Sequence, residues 1–142
     1  MPLIQTLATW GVPTLLLVAS TGCESNDGPE RFDLSGSVEF DGKPVPMGSI
    51  EFVPDSNAGN RGPAAYGEIV DGRYSTRAGK GIVGGPYLLT VTGYDGVATI
   101  DEDEGENPRG MPLFAAHELS AELPAEGRDF DIKIPASAGN TD

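Results

Sequence analysis

Glycine and proline punctuate this chain densely, 20 and 12 among 142 residues. After residue 22 no unbroken stretch has the length and apolar period of an amphipathic helix. Between the breaks lie short segments in which apolar and polar residues alternate, the period of a strand with one buried face. The first is Leu34–Phe40, with Leu34, Gly36, Val38 and Phe40 on one side. Ser49–Pro54, Ala64–Val70, Arg73–Thr76, Tyr87–Thr92, His117–Leu123 and Asp129–Pro135 follow. Tyr87, Leu89 and Val91 are expected in the core, as are Phe130, Ile132 and Ile134. Asp41-Gly42 and Asp71-Gly72 supply the left-handed residues that tight hairpins need. Seven such segments predict an all-β domain, an antiparallel seven-stranded β-sandwich with Ig-like Greek-key connections.

Cys23 is the one cysteine, so no intramolecular disulfide forms and apolar burial must hold the fold together. Residues 34–135 suit one domain. The polar, turn-rich residues 23–33 read as a tether, and ten extended residues reach at most ~35 Å. Residues 136–142 read as a disordered tail. The formal charge of -13 lies wholly after residue 22. Such a body repels nucleic acid and anionic headgroups, so no nucleic-acid partner and no polybasic membrane signal are expected.

Residues 1–22 are uncharged and mostly apolar, and they end in Ser20-Thr21-Gly22 just before Cys23. This stretch resembles the lipobox of bacterial lipoproteins. The resemblance implies that residues 1–22 are a signal peptide, and that Cys23 is lipidated to become the mature N-terminus. Stable anchoring takes two acyl chains or their equivalent, which a diacylglyceryl thioether meets. The implied location is the exported side of the cell membrane or outer membrane, held through lipid on Cys23. Simple secretion, with cleavage near Ala19 or Gly22, and an uncleaved anchor helix are the alternatives.

A second resemblance rests on the order of pieces along the chain. Ser35-Gly36-Ser37-Val38, Asp41-Gly42-Lys43-Pro44-Val45-Pro46 and Gly48-Ser49-Ile50-Glu51-Phe52-Val53-Pro54 come first. Asp71-Gly72-Arg73-Tyr74-Ser75 and Gly84-Gly85-Pro86-Tyr87-Leu88-Leu89-Thr90-Val91 follow, and Leu119-Ser120-Ala121-Glu122-Leu123 closes the series. The set is similar to the transthyretin-like, or carboxypeptidase regulatory-like, β-sandwich module of small bacterial lipoproteins. That module is accessory in carboxypeptidases, so the resemblance implies no peptidase activity.

Few residues qualify for site chemistry. His117 is the only histidine, begins an expected strand and has no nucleophile motif near it. In the acidic run 101–106, read as a loop, Asp101, Asp103 and Glu106 are candidate calcium ligands, although the spacing departs from an EF-hand. Gly79-Lys80-Gly81 lacks the order of a phosphate-binding loop. Tyr66 and Tyr94 are candidate exposed contacts for carbohydrate, whereas Tyr74 and Tyr87 fall on core positions. The expectation is a non-catalytic structural or interaction module with no cofactor, displayed from a lipid anchor to an unknown protein or carbohydrate partner. A calcium- or carbohydrate-binding module is the alternative.

Overall fold

The computed structural model describes residues 28–103 and 105–139. The apolar segment and Cys23 lie outside the described residues. Ten strands are present among them: β1 Ser35–Phe40, β2 Lys43–Pro44, β3 Met47–Pro54, β4 Ala65–Val70, β5 Arg73–Thr76, β6 Gly85–Tyr94, β7 Thr99–Asp101, β8 Gly105–Asn107, β9 His117–Leu123 and β10 Ile132–Ile134. The protein is all-β, and each of the seven alternating segments overlaps one of the seven strands on the main path of the sheet, β3 and β6 running two residues beyond the expected segments.

These seven run in the order β10-β1-β5-β4-β3-β6-β9, with β2 beside β1, as one curled sheet. All neighbours pair antiparallel except β1 and β10, which are parallel. β3, β4 and β5 form a meander, and β1 lies beside β5, which is a Greek-key order. β1 does not return directly to β3. The Asp41-Gly42 turn leads only into the two residues of β2, after which Val45 drops into the core.

Both turns have the geometry their sequence implies. φ is +50° and +71° at Asp41-Gly42 and +49° and +76° at Asp71-Gly72. Left-handed values at both central residues match the twist of the flanking strands. The second turn is also held by long-range bonds, since Gly72 N–H donates to Val45 O at 2.8 Å and Asp71 N–H to Pro46 O at 2.8 Å.

One core fills the concave side. Val38, Ile50, Phe52, Ile69, Leu89 and Val91 are fully buried there, and Tyr74 and Tyr87 join them as expected. Each large side chain moved out of water contributes about 1.5–3 kcal/mol. Phe40 packs on Phe114 with ring centroids 5.0 Å apart. Ala138, after the edge strand β10, packs on the same cluster. The curl therefore brings the β10 end of the sheet toward the segment beside β6, where Leu113 N–H donates to Gly93 O.

Three sequence expectations need correction. Residues 101–106 are not a loop: β7 and β8 pair as a separate hairpin, with Asp101 opposite Gly105 and Ile100 opposite Glu106. Backbone bonding formed it where apolar alternation gave no signal. The segment 23–33, expected as a tether, runs into the fold at its end, because Phe32 bridges Ile82 with N–H to O distances of 2.7 and 2.9 Å. Residues Ala136–Gly139 form a 3-10 turn instead of a free tail, because Ala138 has apolar neighbours to bury against.

Candidate functional site

The pleat gives the convex face of the sheet the side chains left over from the core. Along β4 the alternation buries Ala65, Gly67 and Ile69 and exposes Tyr66, Glu68 and Val70. The same parity exposes Glu51 and Val53 on β3 and Leu88 on β6. Tyr66 and Val70 are both more than half exposed, at 53% and 55%.

Tyr66 and Tyr94 do share this face but do not meet. Tyr66 stands opposite Glu51 and Tyr94 opposite Met47 on the intervening β3. Four residues of strand, about 13 Å, and two strand spacings, about 10 Å, separate them. They do not form one platform for a sugar ring. Tyr94 is occupied by the chain itself, since the Arg109 guanidinium lies 5.8 Å from its ring centroid.

The three acidic candidates are also not gathered. Successive strand residues point to opposite sides, so the register sets Asp101 on one face of the β7–β8 hairpin and Glu106 on the other. An Asp101 Oδ1 lone pair accepts from the Asp103 N–H at 2.8 Å, an Asx turn that shapes the tip. Among the described residues no group of three metal-ligating side chains converges. His117 begins β9 opposite Val91, half-buried.

What the fold does gather is a set of cations around Tyr66. The Arg31 guanidinium donates to three carbonyls, Gly81 O at 2.8 Å, Lys80 O at 2.7 Å and Ala64 O at 2.9 Å. It thereby ties the segment just before Phe32 to the start of β4 and to the loop before β6. Arg77 follows β5 directly, one step past the Gly67–Thr76 pair, and so flanks Tyr66. Arg31, Arg77 and Lys80 with Tyr66, Val53 and Glu51 line an open hollow of about 450 Å³. A second groove of about 630 Å³ continues from Tyr66 past Glu68 and Val70 to Arg73. Among the described residues the one ion pair joins Arg128 to Glu126, remote in sequence from this cluster.

A different chemistry closes the β1–β10 edge of the sheet. Ser35 Oγ donates to Asp129 Oδ1 at 2.6 Å, and Ser37 donates through both N–H and Oγ to Asp131 Oδ1 at 2.8 Å. The two bonds from Ser37 hold the Asp131 carboxyl below the usual aspartate range, backbone bond first. Tyr74 crosses beneath them, its hydroxyl donating to Phe130 O at 2.7 Å. Burial, then the nearby Asp131 and Asp129 charges, push its phenol well above the ordinary tyrosine value.

Sequence reasoning missed the cation cluster. Arg31, Arg77 and Lys80 are far apart in the chain, and only the β4–β5 register and the Phe32–Ile82 bridge bring them together. The one available signal was Arg31 immediately before Phe32, a cation at the boundary between tether and first strand. No family model, curated protein or solved structure matches the chain. The site and fold thus define a class only, an all-β domain with a cationic, tyrosine-centred hollow on its convex face.

Proposed function

We propose that the chain is an exported lipoprotein whose curled sheet is a transthyretin-like β-sandwich, displayed as a non-catalytic interaction module from a lipid anchor on Cys23. The sandwich reading takes the β10-β1-β5 part of the sheet and the β6-β9 part as the two layers, meeting across the shared core. The observation that carries the anchor reading is the position of Cys23. It directly follows an uncharged segment of 22 residues, and only residues 24–30 separate it from the clamp made by Arg31. Eight residue steps reach about 28 Å when extended. A domain held so closely stays next to the surface that bears the anchor.

Substituting Cys23→Ala tests the reading in cells fed labelled palmitate. The expected result is loss of label together with release of the protein from the membrane fraction. Unchanged membrane association, with no label on the unmutated protein, overturns it.

A further inference from the structure

The strands give the domain two ends, and the cation-lined hollow lies at one of them. β3 and β5 finish, and β4 and β6 start, at the end where the chain leaves its tether at Arg31. That end holds Arg31, Arg77 and Lys80, with Arg61 in the adjoining loop 55–64. The far end holds Asp41 and Asp71 in the two tight turns, Asp95 after β6, and the Asp101, Asp103 and Glu106 carboxylates of the β7–β8 hairpin, with Lys43, Arg73 and Arg109 among them. The tether end has acids too. Asp33 is turned to the Gly79 N–H at 2.9 Å, and Asp55 to the Asn57 and Ala58 N–H groups at 3.0 and 3.2 Å. Glu30, Glu51 and Glu122 are exposed there, Glu126 pairs with Arg128, and Asp129 accepts from Ser35, so the cations dominate within the hollow and not over the whole end.

We propose that the Arg31–Arg77–Lys80 hollow is a membrane-docking surface that seats the tether end of the domain on anionic lipid headgroups. The inference rests on the anchored reading above. Three observations select this occupant. The cations sit at the root of the tether, so the short span to Cys23 holds them near a membrane and turns the β7–β8 hairpin away from it. Their charge complements phosphate headgroups, each Lys or Arg near such a surface adding to its attraction for the protein. Tyr66 and Val53 stand exposed between the cations, and an aromatic ring with a polar tip is suited to the headgroup layer. This modifies the expectation drawn from net charge. A chain of -13 repels an anionic surface when averaged over all orientations, but the screening length of ~8 Å at physiological salt lets the nearest residues dominate.

The single thiol allows a direct test. The full chain is coupled through Cys23 to a maleimide lipid in vesicles of phosphatidylcholine alone, or with phosphatidylglycerol as about one lipid in three. Coupling supplies the anchor chemically, so the outcome is independent of whether cells lipidate Cys23, which the palmitate experiment decides separately. The readout is reaction of Lys80 with an amine reagent, with exposed Lys43 and Lys133 at other places on the domain as references. Lys80 labelling is expected to fall at least about threefold on the anionic vesicles only, and to recover near 1 M salt, where screening shortens to ~3 Å. The variant Arg77→Glu, exposed and outside the core, is expected to abolish this protection. Equal labelling of Lys80 on both vesicles overturns the proposal, as does protection that survives in Arg77→Glu. Equal protection by soluble inorganic phosphate without vesicles assigns a free-anion site and likewise overturns it.

Discussion

Tyr74 shows how one side chain serves both the apolar core and a strand far along the chain. Its ring packs 5.9 Å from Phe52, centroid to centroid, while its hydroxyl reaches the Phe130 carbonyl before β10. Truncating it to phenylalanine keeps the packing and leaves that carbonyl short of a donor, so Tyr74→Phe is expected to lose about 1 kcal/mol at neutral pH. The pH dependence has a definite sign. The folded phenol titrates above the unfolded one, near 10, so the folded state binds more protons in alkali. The associated stability is complete below that value and is lost as pH rises from the unfolded toward the folded pKa. Urea midpoints at pH 7 and pH 11 check this, because the gap between wild type and Tyr74→Phe is expected to narrow in alkali. The inward position of Tyr74 was legible from alternation alone. Its hydroxyl partner was not, since Phe130 lies 56 residues away in sequence.

At the scale of elements, β1 is the strand most dependent on a distant neighbour. A Cβ on Gly36 would overlap the Phe130 carbonyl oxygen and crowd the Tyr74 ring, so the glycine is required by proximity and not by its φ. Gly36→Ala is expected to destabilise by about 1–3 kcal/mol, the range for overpacking a tight site. A shifted urea midpoint with an unchanged slope would register this. In the sequence Gly36 was readable only as an inward position of an alternating strand. The long strands declared themselves because each buries one face; β2, β7 and β8 bury almost nothing and left no such trace. Pairing partners were equally hidden. Alternation says which face of a strand is inward but carries no label for the strand beside it.

Across the whole molecule, charge opposes compactness. Repulsion within a chain of -13 is strongest where the turns and the β7–β8 hairpin collect carboxylates. Salt is therefore expected to stabilise the protein, with most of the rise in urea midpoint appearing between about 10 mM and 150 mM, as screening shortens from ~30 to ~8 Å. A midpoint that falls over this interval would contradict it. The charge total was legible at once; the gathering of cations around Tyr66 was not, because Arg31 and Arg77 line one hollow only after folding. The β1–β10 clasp joins residues 94 positions apart, Ser35 to Asp129 and Ser37 to Asp131. Strand β1 thus lacks its outer neighbour until β10 has been made. Loop closure over that separation delays native contacts. An edge wired in this way stays open while the intervening residues are being made, and locks shut only when β10 arrives.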